Sequence, residues 1–149
     1  MLLLARYSAG GYNTLQVSWK LVLPRSLFGL AMGLGTAFFI PAKVEPLFWL
    51  VIFLVCAYII ARRCPDKRFQ TGIFLGLVNA VWIMASHILF FDQYLALHPE
   101  EAALMKSMPL GDSGRSLMLL TGPVAGSISG IVIGILAAIF GKVLKRAHK

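Results

Sequence analysis

Charge is what this chain has least of. Only 13% of its 149 residues are Asp, Glu, Lys or Arg, against about 25% in an average soluble domain. A water-exposed surface cannot be built from so few charges without large apolar patches, which soluble monomers rarely carry. Acidic residues are scarcer still, at six. Cysteine is nearly absent. Cys56 lies in an apolar run and Cys64 in a basic loop, too far apart for a CxxC pair, so neither a disulfide nor a metal site is expected. No nucleophile stands beside an evident base, no Gly-rich phosphate loop follows a strand, and HExxH is missing. A single mid-span histidine cannot supply two axial haem ligands. The expectation is a protein that is not an enzyme and needs no cofactor.

What the chain has instead is hydrophobicity: 58% apolar residues and a mean hydropathy of +0.80. Four stretches carry no Asp, Glu, Lys or Arg, at 26–42, 46–61, 69–91 and 116–141. A helix crosses the hydrocarbon core with roughly 17–25 residues. The last two stretches suffice as they stand. The first two need their flanks, Leu21–Leu23 with a snorkelling Arg25, and Val44 with Glu45. The expected fold is an all-α bundle of four transmembrane helices, near 21–42, 45–62, 69–91 and 116–141. A re-entrant hairpin formed by the first two stretches would leave Lys43 and Glu45 deep in lipid, where charge is costly. Two full spans are therefore preferred. Residues 1–20 read as a loosely ordered or interfacial tail, and 21–149 as one transmembrane domain. The opening Met1-Leu-Leu-Leu is too short for a signal-peptide core, so the first span is expected to direct insertion.

The net charge of +8 suggests nucleic acid at first sight. The basic residues instead cluster at the ends of apolar runs, which points away from it. Arg6, Lys20 and Arg25 precede the first span. Arg62, Arg63, Lys67 and Arg68 lie between the second and third, and Lys142, Lys145, Arg146 and Lys149 follow the fourth. These eleven of the 14 basic residues fall on one side of a four-helix topology. The positive-inside rule then puts both termini in the cytoplasm of a cell (inner) membrane protein. Five of the six acids, Glu45, Asp92, Glu100, Glu101 and Asp112, fall on the opposite side. Trp19, Trp49, Tyr58 and Tyr94 lie near span ends, as interfacial aromatics do; Trp82 does not.

The third span is two-faced. At about 100° per residue, Gly72, Gly76, Asn79, Ala80, Ile83, Ser86, His87 and Phe90 share one side. Small and polar residues mark the protein-facing side of a membrane helix. In the fourth span Gly122, Gly126, Gly130 and Gly134 recur every fourth residue, and the first adds Gly29 and Gly33. Such GxxxG ladders let backbones approach closely. The candidate close partners are helices of the same chain, a second copy, or other membrane subunits within the bilayer. Helix two, without a glycine seam, is expected to be the most lipid-exposed.

Asn79, Ser86, His87 and Asp92 are the candidate binding residues, because polar groups inside a membrane are costly and invite a functional reading. The plainer reading is an interhelical hydrogen bond. His98-Pro-Glu-Glu-Ala-Ala-Leu-Met-Lys-Ser-Met108 reads as a short interfacial helix in the outer loop. Pro99 suits its start, and Glu100 and Glu101 favour the positive end of its dipole. The ligand-like set His98, Glu100, Glu101 and Asp92 matches no metal spacing and reads as a solvated acidic loop. Together these features point to a non-catalytic accessory or scaffolding subunit. The alternative is a small transporter or channel using the polar face of helix three.

Overall fold

The computed structural model describes residues 17–107 and 114–147. These residues are almost entirely helical, and no strand occurs among them. Six helices follow in order: α1 (Trp19–Phe38), α2 (Glu45–Arg63), α3 (Arg68–Leu89), α4 (Phe91–Leu97), α5 (Pro99–Ser107) and α6 (Gly114–Ala147). Four of them, α1, α2, α3 and α6, are long and apolar enough to cross a membrane. The chain is a helical membrane protein. Most of the N-terminal tail, together with Met108 and Asp112, lies outside the described residues.

Several boundaries differ from those expected, and local chemistry explains them. α1 stops at Phe38 rather than near residue 42. The Gly35 carbonyl accepts from both Phe39 and Ile40, each at 2.7 Å, which closes the last turn. Pro41 then holds Ile40 out of the helical region. α2 starts at Glu45 with Pro46 beside it, early in the helix where a missing N–H costs nothing. It ends before Cys64-Pro65, since proline cannot continue it. α3 ends at Leu89 and the backbone breaks at Phe90, with φ −111° and ψ 41°. The following segment is therefore not a plain loop: it forms α4, then a second break at His98, then α5. The fourth long helix is 34 residues rather than 26, or roughly 51 Å at 1.5 Å per residue.

Contacts between named residues give the directions. Gly72 lies against Gly134, and Gly76 against Gly130. Rising numbers on α3 meet falling numbers on α6, so the two run antiparallel. Gly29 meets Asn79 and Gly33 meets Ser86, so α1 and α3 run parallel. α3 stands at the centre, with α6 as its most extensive neighbour and α1 next. α2 packs chiefly on α6 and barely touches α1, its neighbour in sequence.

One end of the bundle therefore collects the start of α1, the α2–α3 turn and the end of α6. It carries Arg62, Arg63, Lys67, Arg68, Lys142, Lys145 and Arg146. The opposite end, with α4 and α5, carries Glu45, Asp92, Glu100 and Glu101. A core of Val22, Cys56, Ala57, Ile60, Leu75, Ile133 and Ala137 fills the basic half. A smaller cluster of Ala37, Tyr94 and Met118 fills the acidic end. Lipid tails are as apolar as these side chains, so burial from water does not hold such helices together. Close dispersion contact and interhelical hydrogen bonds do.

The glycines show how close that contact is. A Cβ built on Gly130 would stand 2.7 Å from Cα of Ile73, and one on Gly29 would stand 2.7 Å from Cα of Asn79. Real Cβ atoms are not found that close to backbone, so these positions admit only glycine without helix displacement. The polar face of α3 thus serves two partners. Asn79 and Ser86 turn toward α1, while Gly72, Gly76 and Ala80 meet α6. In α2 only Cys56, Ala57, Ile60 and Ala61 are buried, all in its C-terminal half.

Candidate functional site

Three rings stack at the acidic end. His87, near the end of α3, lies 3.8 Å from Tyr94 of α4, centroid to centroid, with planes 22° apart. Tyr94 in turn stacks on His98 at 4.2 Å and 21°. The helix breaks position these rings: after the break at Phe90, α4 packs chiefly on α1, and His98 follows Tyr94 by one turn. All three rings are buried, His98 completely.

The stack is tied to three other helices. His87 Nε2 lies 2.7 Å from Thr36 Oγ1 of α1. Thr36 also contacts the Met32 carbonyl at 2.8 Å. A carbonyl can only accept, so both contacts are met when Thr36 donates to Met32 and His87 Nε2–H donates to Thr36. The Tyr94 hydroxyl donates to Glu101 Oε2 of α5 at 2.6 Å. Burial above all, then this hydrogen bond and the charge of Glu101, push the Tyr94 phenol above its ordinary value. It stays protonated and donating.

His98 fixes the position of one further proton. Its Nδ1 lies 2.9 Å from the Tyr94 carbonyl and must carry a hydrogen to make that contact. Its Nε2 faces Glu45 Oε2 of α2 at 3.2 Å. With Nδ1 protonated, that contact is a hydrogen bond only if His98 and Glu45 hold one more proton between them. Either an imidazolium faces a carboxylate, or a carboxylic acid faces a neutral ring. Trp49 Nε1 donates to the other Glu45 oxygen at 2.9 Å. His98 and Glu45 thus connect the α4–α5 segment to the start of α2.

Beside this cluster lies an open space between α2, α3 and α6, of about 650 Å³. The first half of α2 forms one wall through Trp49, Leu50 and Phe53, which explains why that half is not buried. Asn79, Ile83 and Met84 form the facing wall, with Gly122, Gly126 and Ser129 of α6 alongside. Glu45 and Glu101 also line it. A second cavity of about 440 Å³ adjoins it, sharing Ile83, Met84, Glu101, Gly122 and Ala125 and adding His87 and Tyr94. Asn79 is 3% exposed, and neither its Nδ2 nor its Oδ1 has a hydrogen-bond partner among the described residues. A buried amide left unpaired costs about 1–3 kcal/mol.

The residues singled out from the sequence therefore part company. His87 makes an interhelical hydrogen bond and joins the ring stack. Ser86 is buried, donates to the Trp82 carbonyl of its own helix at 2.9 Å, and lies against Gly33. Asn79 is buried and unpaired, with its side chain against Gly29 of α1. Asp92 is exposed in the first turn of α4, where it complements the helix dipole, and does not reach the cluster. The expectation of a solvated acidic loop fits Asp92 and Glu100 but fails for His98 and Glu101, which belong to the buried network. Tyr94 is likewise enclosed by histidines rather than interfacial. Trp82 donates to Ser26 Oγ at 3.2 Å, an interhelical bond between α3 and α1. Thr36, Glu45 and Tyr94 were not singled out as site residues. The Pro99 that breaks the helix after His98 was the one local signal that could have placed that ring. Among the described residues, no three His, Cys, Asp or Glu side chains converge as a metal site.

No protein family matches this chain, and neither a curated protein nor a solved structure matches it.

Proposed function

We propose that this is a multi-pass membrane protein that binds a small amphipathic molecule in the cavity between α2, α3 and α6, without chemically changing it. One observation carries the reading. A cavity of ligand size with mainly apolar walls carries two carboxylates, Glu45 and Glu101, in its lining. Ligand sites occupy about 300–1,000 Å³ and combine apolar walls with a few convergent polar groups. Leu50 and Ala125, both in the lining, are exposed at the bundle surface, so the cavity opens where lipid would lie. A ligand already dissolved in the bilayer has direct access.

The basic end faces the cytoplasm of the inner membrane with both termini, and the acidic end faces outward. α5, exposed along much of its length, lies at the outer interface. The accessory-subunit reading rests on the small-residue faces of α3 and α6 and on the lack of Asp, Glu, Lys and Arg within the spans. All eight of the ladder glycines meet neighbours within the chain, so they offer no free seam to a second subunit.

Binding of a neutral solvatochromic dye to the protein in mild detergent tests the reading. Saturable fluorescence is expected from the parent chain. Ala125→Trp, which fills the cavity from its exposed edge, should abolish it while leaving helicity unchanged. Dye binding that ignores this substitution overturns the proposal.

A further inference from the structure

We infer that the cavity selects hydrophobic organic cations: an ammonium or other onium centre carried on an apolar body. The inference rests on the binding reading above and names the ligand class of the same site. It begins with a contrast in charge. The chain carries 14 basic residues and a net charge of +8, yet among the described residues no Lys or Arg lines either cavity. Glu45 and Glu101 line the larger one together, and Glu101 lines both.

The local charge follows from the hydrogen bonds. Glu45 and His98 hold one proton between them, so the pair is neutral as a unit wherever that proton sits. Tyr94 keeps its own proton and donates it to Glu101, which accepts as a carboxylate. His87, bonded to Thr36, also lines the smaller cavity. With His87 neutral, the cluster carries one net negative charge at the edge of an apolar space. A buried charge favours a counter-charge, and a monovalent cation supplies it.

The walls suit the rest of such a ligand. Trp49 and Phe53 offer aromatic faces, which attract cations through the ring quadrupole. Met84 is a flexible thioether that adapts to varied shapes. An anionic amphiphile would meet Glu101 unfavourably and find no basic side chain in the lining.

Two ions of matched size and shape but opposite charge test this directly. Tetraphenylphosphonium and tetraphenylborate are each dialysed to equilibrium against the purified protein in mild detergent, with protein-free micelles as background. Saturable binding of the cation and none of the anion is expected. Glu101→Gln, which keeps an acceptor for Tyr94, should weaken the cation at least tenfold, and Glu101→Asp should restore most of it. Glu45→Gln should weaken it less, because the Glu45 charge is already offset by the shared proton. Thermal midpoints of all variants check that they fold. Anion binding as tight as cation binding, or cation binding indifferent to both Gln substitutions, overturns the inference. Neutral-dye binding with neither ion bound defeats the cation class alone. No saturable binding of dye or ion defeats the underlying binding reading as well. Two sources supply such a cation, a lipid amine and a free hydrophobic amine. Competition by phosphatidylethanolamine, and not by phosphatidylglycerol, identifies the lipid source; lack of competition identifies the free one.

Discussion

The two halves of this bundle use the same sequence device to opposite ends. At the basic half, Gly72 and Gly76 of α3 meet Gly134 and Gly130 of α6, backbone against backbone. At the acidic half the ladder continues through Gly126 and Gly122, but the opposing residues are Ala80 and the side chain of Met84. There α2 lines a cavity instead of closing on its neighbours. A missing side chain gives tight packing where another glycine faces it. Where α2 stands away, it gives space. A periodic glycine motif therefore defines where room exists, and the neighbour decides whether that room is filled.

The largest expected effect comes from testing that difference. Gly76→Leu or Gly130→Leu must push backbone from backbone and should destabilise the protein by about 3 kcal/mol or more, since overpacking a tight core is costly. Thermal unfolding in mild detergent reads this. Gly122→Ala meets only the flexible end of Met84 and should cost about 1 kcal/mol or less. Equal losses at both sites would erase the distinction between the halves.

Next comes the network that closes the acidic end. His98→Ala leaves Glu45 without its ring partner and frees the Tyr94 carbonyl from a side-chain donor, with an expected loss of about 1–3 kcal/mol. Asp92→Ala, exposed and outside the network, should stay within about 0.5 kcal/mol. A smaller pH effect belongs to Tyr94. Its phenol is raised in the folded state, so its stabilising contribution is fully present below the ordinary tyrosine value of about 10. That contribution is lost as pH rises above it, by up to about 1.4 kcal/mol per unit. Tyr94→Phe should flatten this alkaline loss in unfolding experiments run across that range.

The smallest effect has the opposite sign. Asn79→Leu replaces an unpaired buried amide with an apolar group of similar shape and should stabilise the empty protein by about 1 kcal/mol. A destabilised Asn79→Leu protein would mean that the amide has a structural partner.

Much of the architecture was legible along the chain. Apolar runs of spanning length mark four helices, and their spacing needs no tertiary information. The small and polar face of α3 and the ladder of α6 follow from helical periodicity alone, because side chains four residues apart share a face. The helix ends were less legible. α1 stops early because Gly35 and Pro41 cooperate, and α4 was missed because a seven-residue helix is too short to leave a periodic signal.

The site was hardly legible. His87 and Asn79 stood out as polar residues in apolar surroundings, with nothing to say that one is paired and the other free. His98 and Glu101 looked like members of a solvated loop, since their sequence neighbours Glu100 and Asp92 are exposed. What encloses them is the packing of α4 on α1, with His98 facing Glu45 and Glu101 facing Tyr94.

Composition and periodicity, then, determined that this chain belongs in lipid, which stretches become its long helices, and which face of α3 turns inward. Both depend on properties of single residues and their immediate neighbours. The partners were decided only in three dimensions: Thr36 with His87, 51 residues apart, and Glu45 with His98, 53 apart. Hydrogen-bond satisfaction depends on what stands within 3 Å, and separations of that length along the chain carry no local trace of it.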